Sequence, residues 1–372
     1  MLDSHWPLLL LLPIAVVLSA NTISPDASIS PIIGVLSQEI APNGLLARNF
    51  KNKTSYIAAS YVKFLEGAGA RVVPIGIGRN RSYYEDLMQK INGVLLPGGA
   101  TWFNQSNGYS DAGEHLINIA IDLNNKGVFM PIWGTCLGME LLVYKLANGT
   151  EARTDCSSIA QPLPLEFKAD FNQSRLFNST SDLIMDLLKK ENVTINSHRY
   201  CYTEKTFEAL QLYKTWRVMT LNHDWDGIEF ISTIEHVRYP FYAVQFHPEK
   251  PLYEFNAKGN IPHTQAAVSC SQFFAEFFVN EARRNPNIFK NQTELSSALI
   301  YNYSPEYTSP LGSAFVQQYL FEDIPIEEGG DEDEDNTHYF PYNGNGNGAD
   351  AVALSTITYS ALAFCLWVSL HN

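Results

Sequence analysis

The sequence predicts an α/β fold with a mostly parallel central sheet covered by helices on both faces. Three observations predict it: short continuous apolar runs rich in β-branched residues, amphipathic helical spacing between those runs, and a strand, tight turn and helix succession around Cys136. Continuous runs suit strands buried on both faces, and intervening helices supply the crossovers that a parallel sheet needs.

Taken in order, residues 31–36 form the first strand-like run. A helix is expected over about 55–67, where Ile57, Tyr61, Phe64 and Leu65 fall at helical spacing. Further strands are expected at 71–75, 93–96 and 128–133, with a helical pattern at 114–123 before the last of these. Strands are again expected at 227–233 and 242–246. A helix at 272–283 then presents Phe273, Phe274, Phe277 and Phe278 to the core. No internal repeat is visible.

The 372 residues are 45% apolar and 17% charged, enough to bury one large core, and one catalytic domain over 29–320 is the simplest organisation. The net charge of -14 is uneven, because residues 314–372 hold ten Asp and Glu and no Lys or Arg. The remainder is near neutral, with no basic stripe that would argue for nucleic acid.

Both ends carry processing signals. Residues 6–18 are an apolar run of signal-peptide length followed by Ser19 and Ala20, so a leader over 1–20 is expected, although no Lys or Arg precedes the run. Sequons at Asn52, Asn80, Asn104, Asn148, Asn172, Asn178, Asn192 and Asn291 fit a glycosylated luminal protein; a ninth, at Asn302, is set aside because Pro305 follows it. The expected location is the secretory pathway, with a secreted, lysosomal, vacuolar or surface-anchored product. Residues 321–350 are acidic and then Asn/Gly-rich, which suits a disordered linker. The uncharged stretch at 351–372 reads as a lipid-anchor signal, a membrane span or a processed tail.

An odd number of cysteines, Cys136, Cys156, Cys201, Cys270 and Cys365, leaves at least one thiol free in an oxidising compartment. Their spacing shows no disulfide framework and no zinc site. Whether any two of Cys156, Cys201 and Cys270 are bridged stays open.

Chemistry concentrates in two motifs. Gly134-Thr135-Cys136-Leu137-Gly138 reads as a nucleophile elbow, whose glycines permit a sharp backbone path. A thiol at the N-terminus of a helix is expected to ionise readily. The alternative is an inert buried cysteine between packing glycines. The second motif, Gln245-Phe246-His247-Pro248-Glu249, ends a strand, where an α/β fold keeps its reactive groups. His247 is the candidate base, against the alternative of a surface histidine.

Together these motifs resemble the class I glutamine amidotransferase superfamily, and more closely the γ-glutamyl hydrolases (folylpoly-γ-glutamate hydrolases, peptidase family C26). The resemblance includes Tyr56-Ile57-Ala58-Ala59-Ser60-Tyr61, Gly69-Ala70-Arg71-Val72-Val73-Pro74, Leu96-Pro97-Gly98-Gly99 and Phe277-Phe278-Val279-Asn280-Glu281-Ala282-Arg283, and covers roughly 30–320. It implies a class I amidotransferase-like fold, a Cys136 nucleophile, a His247 base and, as its candidate orienter, Glu249. It also implies an oxyanion hole from the N–H groups of Gly99 and Leu137, and a glutamyl pocket at Tyr61, Glu140, His198 and Gln245. The plain alternatives for the pocket are helix packing for Tyr61, a solvated first-turn carboxylate for Glu140, a loop histidine for His198 and a strand-edge polar group for Gln245. The implied substrate is a poly-γ-glutamyl folate, with no cofactor, no metal, no nucleic-acid partner and a homodimer left open. The acidic and apolar C-terminal extension departs from that family. Two other classes share some of these features. A glutaminase subunit would have the elbow and base without a leader or sequons, and a non-catalytic glycoprotein would have the leader without need of the elbow.

Overall fold

The computed structural model describes residues 29–255 and 259–322. The expected leader at 1–20, the segment at 351–372 and all but the first two residues of the linker at 321–350 lie outside the described residues, as does Cys365. The first half of the chain contains β1 (Ile32–Leu36), β2 (Gln38–Glu39), α1 (Leu45–Asn49), β3 (Ser55–Ala58), α2 (Ala59–Glu66), β4 (Arg71–Ile75), α3 (Arg81–Met88), β5 (Gly93–Leu96), α4 (Tyr109–Asn125), β6 (Ile132–Thr135) and α5 (Leu137–Leu146). There follow β7 (Thr154–Leu163), β8 (Glu166–Phe167), α6 (Asp182–Lys190), β9 (Thr194–Cys201), α7 (Glu204–Ala209), β10 (Trp216–His223), β11 (Glu229–His236) and β12 (Phe241–Val244). The last elements are α8 (Lys250–Tyr253), α9 (Gln265–Ala282), α10 (Gln292–Ala298), β13 (Glu306–Tyr307) and β14 (Gln317–Phe321).

The main sheet has the order β4-β1-β5-β6-β12-β11-β10-β8. From β4 to β12 its strands are parallel. Beyond β12 the pairing is antiparallel. In β1, Ile32 and Leu36 enter one core while Ile33 and Val35 enter the other. A strand buried on both faces has no polar side, which is why it reads as an unbroken apolar run. The first core is completed by α3, α4 and α5 through residues such as Tyr84, Leu116 and Leu141. The second is completed by α2, α6 and α9, where Phe274 and Phe278 close on Trp133 with ring centroids 6.1 and 5.8 Å away. The expected α/β architecture, mostly parallel with helices on both faces, is thus present. It places the ends of the adjacent strands β5, β6 and β12 side by side, and all three lead directly into the residues of the site.

Several expected boundaries are corrected. The helix expected from about 55 begins at Ala59, because Ser55–Ala58 pairs antiparallel with β14 on one side and β2 on the other. The strand expected at 128–133 begins at Ile132. Val128 spends its N–H on Leu123 O at the end of α4, Met130 spends its own on the Asn124 side chain, and Pro131 has none. The strand expected from 227 begins at Glu229. Gly227, at φ 81°, lies in a turn held by the Asp224 carboxylate, which accepts from Asp226 and Ile228 N–H at 2.9 and 2.8 Å. The strand expected at 242–246 is displaced to Phe241–Val244. The helices expected at 114–123 and 272–283 are longer at their N-terminal ends than the apolar pattern alone marks.

The bridge left open by the cysteine spacing is Cys156–Cys201, joining β7 to β9 with Cα atoms 6.0 Å apart; Cys136 and Cys270 are free. The bridge closes a loop of 45 residues, for which chain entropy gives a stabilisation of about 4 kcal/mol. Replacing both cysteines by serine is expected to cost about 2–4 kcal/mol in non-reducing urea denaturation. An unchanged midpoint would contradict a stabilising bridge.

Candidate active site

Between the end of β6 and the start of α5 a single residue, Cys136, turns the chain. It does so at φ 52° and ψ -109°, a conformation that costs an L-residue energy and persists only where the surroundings enforce it. Here they do: Cys136 N–H donates to Val244 O at 2.8 Å, and Glu140 N–H donates to Cys136 O at 3.0 Å. The flanking glycines serve close approach rather than the expected backbone freedom. A Cβ on Gly138 would overlap the carbonyl of Leu96, and one on Gly134 would lie 2.7 Å from Gly138 O. The strained torsion belongs to the cysteine itself.

Gly98, at the end of β5, marks where the reactive groups meet. A Cβ there would lie 2.8 Å from His247 Cε1, 2.8 Å from Tyr61 Oη and 3.1 Å from Cys136 Cβ. His247 follows β12 and is fixed through its backbone N–H, which donates to Ile195 O of β9 at 2.9 Å. Its Nδ1 lies 2.8 Å from Glu249 Oε1, within a buried pair. A carboxylate only accepts, so Nδ1 carries the proton and Nε2 is left as the basic nitrogen. Tyr61 Oη lies 3.4 Å from the same Nδ1 and accepts from Gly98 N–H at 2.9 Å.

The electrostatics correct one expectation. The thiol of Cys136 is not poised to ionise: burial pushes its pKa up, the Glu140 charge adds to this, and Lys250 and the Leu137 N–H only oppose it. Burial in turn holds His247 below its ordinary 6.5, with Lys250 acting in the same direction and Glu249 against it. Both shifts favour the uncharged forms of thiol and imidazole in the resting site.

The other candidate pocket residues come from three elements. Gln245 Nε2 donates to Glu140 Oε1 at 3.1 Å and lies 3.8 Å from Cys136 Sγ. Glu140, only 3% exposed, is not a solvated carboxylate; its other oxygen receives Arg153 at 2.9 Å. Burial raises the Glu140 pKa and Arg153 opposes that shift. His198 is a buried residue of β9 and not a loop histidine. Its Nδ1 is 3.1 Å from Tyr200 O, which can only accept, so Nδ1 is protonated; Nε2 is buried without a partner. Burial, reinforced by His247, lowers its pKa to about 3, so it stays neutral. Tyr61 does pack as a helix residue, but its hydroxyl is committed to Gly98. Among the described residues no group of three or more His, Cys, Asp or Glu is placed to hold a metal ion.

Known proteins resemble this chain over most of its length. The family model for Peptidase C26 matches residues 31–249, more than half of the chain. The chain belongs to the peptidase C26 family. Over 78% of its length it is 42% identical to a relative from Rattus norvegicus named gamma-glutamyl hydrolase, covering 89% of that protein. The human protein of the same name is 40% identical over 80% of this chain and 91% of its own. Gamma-glutamyl hydrolase B of Dictyostelium discoideum is 35% identical over 75% and 80%. Among solved structures, a putative GMP synthase subunit from Thermoplasma acidophilum aligns with 68% of this chain at 13% identity and a TM-score of 0.39, too loose a likeness to carry an argument.

Around the motifs of this C26 peptidase stand residues that sequence reading passed over. Arg153 joins Glu140 to Glu151 and lies over the ring of Phe103, its guanidinium carbon 4.4 Å from the centroid. Tyr109 O–H donates to Pro97 O at 2.8 Å, and the buried Gln38 reaches the carbonyls of Pro97 and Gly98. None carries a motif signal, since Gln38 meets Pro97 and Gly98 across 59 and 60 positions, and Arg153 and Tyr109 meet Glu140 and Pro97 across 13 and 12. Adding a methyl group at the meeting point tests the geometry: Gly98→Ala is expected to lower kcat/KM by about 10²-fold or more, because displacing aligned groups by even 1 Å costs that much. Overpacking there should also cost about 1–3 kcal/mol of stability, so turnover is compared on folded protein, and wild-type turnover in a folded Gly98→Ala would show that the three side chains do not meet there.

Proposed function

We propose that this C26 peptidase is a cysteine-type γ-glutamyl hydrolase that cleaves poly-γ-glutamyl chains, such as those of folates, through a glutamyl thioester on Cys136. The observation that carries the reading is the convergence of Cys136, His247 and Tyr61 on Gly98, in a chain 40–42% identical to curated gamma-glutamyl hydrolases. His247 Nε2 takes the thiol proton as sulfur attacks the γ-amide carbonyl, so the neutral resting pair becomes charged only as the C–S bond forms. Glu249 holds the imidazole and stabilises its protonated form. The N–H groups of Gly99 and Leu137 receive the developing oxyanion. The C–N bond then breaks with His247 returning its proton to the leaving amine. Water, deprotonated by His247, attacks the thioester, the C–S bond breaks to release the acyl part with a free γ-carboxylate, and the proton returns to the thiolate. Tyr61, Glu140, His198 and Gln245 form the glutamyl pocket.

The same reading sends the protein through the secretory pathway. It is supported by the Cys156–Cys201 bridge and by the exposure of Asn52, Asn80, Asn104, Asn148, Asn172, Asn178, Asn192 and Asn291. Asn80 and Asn291 cap helices through Oδ1, an arrangement that leaves Nδ2 for a glycan. Asn302 instead donates Nδ2 to three backbone carbonyls. Anchoring through 351–372 is the reading to test for the membrane: a phospholipase that cuts lipid anchors should release the protein, and continued membrane association would remove that option.

Cys136→Ala is expected to abolish hydrolysis of a γ-linked polyglutamate at mildly acidic pH while expression is unchanged; retained turnover would sink the mechanism. The pH profile follows from His247. Its base form persists above a pKa held below 6.5, so kcat/KM should fall as pH drops through a midpoint below 6.5. An acid limb centred above 6.5 would contradict a desolvated base.

A further inference from the structure

The Gly98–Gly99 peptide unit has no side chain of its own to hold it, yet it lies beside Cys136, whose Cβ is 3.1 Å from the place a Gly98 Cβ would take. Glycine adopts both φ signs freely, so such a unit flips at little cost unless something outside it intervenes. Gln38 is placed to intervene. It lies in β2, is 2% exposed, and donates Nε2 to Gly98 O at 3.1 Å and to Pro97 O at 3.2 Å. Both carbonyls only accept, which fixes the amide with its NH₂ toward them. Its Oε1 accepts from Tyr56 O–H at 3.1 Å, and Tyr56 is the residue paired with Gln38 across β2 and β3. A Cβ on Gly99 would overlap the Gln38 amide, so the glutamine fills the space that this glycine leaves. The neighbouring Glu39 grips the far end of the same loop, accepting from Tyr109 N–H at 3.0 Å and from the Thr101 hydroxyl.

We propose that Gln38 is a positioning residue for the oxyanion hole, holding Gly98 O on its own side so that Gly99 N–H faces the Cys136 side of the turn. The physical reason is peptide planarity: in a trans unit the C=O and N–H point in opposite directions, so anchoring one aims the other. The inference rests on the reading of Gly99 as an oxyanion donor given above. It also links turnover to the small sheet in the order β13-β14-β3-β2, since β2 is held in register through β3 by the C-terminal β14.

The test uses Gln38→Met, close to isosteric but without a donor, and Tyr56→Phe, which removes the hydroxyl supporting the amide. Four quantities are read on the full chain: kcat, KM for a γ-glutamyl substrate, the unfolding midpoint, and the rate at which iodoacetamide alkylates Cys136, a reaction that needs no oxyanion hole. Gln38→Met is expected to lower kcat by about 10²-fold, the usual effect of losing one oxyanion donor. KM and the alkylation rate should stay within about twofold of wild type, because substrate binding and the thiol are untouched. Tyr56→Phe should lower kcat by roughly fivefold, the worth of one hydrogen bond, and gives a reading even if Gln38→Met does not fold. Wild-type kcat in a folded Gln38→Met or in Tyr56→Phe would overturn the proposal, as would an alkylation rate that falls in parallel with kcat. Failure of the broader reading has a separate signature, turnover that survives Cys136→Ala.

Discussion

The turn after β6 approaches the end of β5 so closely that neither Gly138 nor Gly98 has room for a side chain, and the rest of the site depends on that approach. Adjacent strands lie about 4.8 Å apart, so residues that end neighbouring strands are brought together before any side-chain interaction acts. Cys136 pays for its place with an unfavourable backbone torsion, which the hydrogen bond to Val244 of β12 and the first turn of α5 hold in place. The scaffold around it is two apolar cores, one on each face of the sheet, so the strain is opposed by packing that the turn alone does not supply.

Burial then sets the chemistry. Cys136, His247, Glu249, Glu140, Gln245 and His198 are all nearly inaccessible to water. In that environment the neutral forms of thiol and imidazole are favoured, and a charge is tolerated only beside a partner, as Glu140 is beside Arg153. The helix terminus that precedes nothing but solvent in a simple picture is here enclosed, so desolvation outweighs its pull on the thiolate. A pair that is neutral at rest confines charge separation to the moment of attack, where preorganised N–H groups are most useful.

Much of this was legible in the chain. Strands β1, β4 and β5 announce themselves because residues buried on two faces leave an apolar run, while Gly-x-Cys-x-Gly alone left an inert buried cysteine open and pointed to a nucleophile only together with His-Pro-Glu and its candidate base. Less legible were elements whose pairing partner is remote. Ser55–Ala58 has a helical apolar pattern locally and becomes a strand through β14, some 260 positions later. The bridge between Cys156 and Cys201 is equally invisible to spacing, because it depends on β7 and β9 lying side by side.

Sequence by itself determined which groups are available for reaction: a Cys between two glycines, a His at a strand end, and carboxylates at fixed offsets from both. Only the tertiary structure decided what those groups are. It made Glu140 a buried partner of Arg153 and Gln245, turned His198 into a neutral residue with a free ring nitrogen, and raised the Cys136 pKa where the helix end alone would lower it. The reason is that local sequence sets torsion and residue type, whereas solvent access and charged neighbours come from segments that meet only when the sheet is assembled.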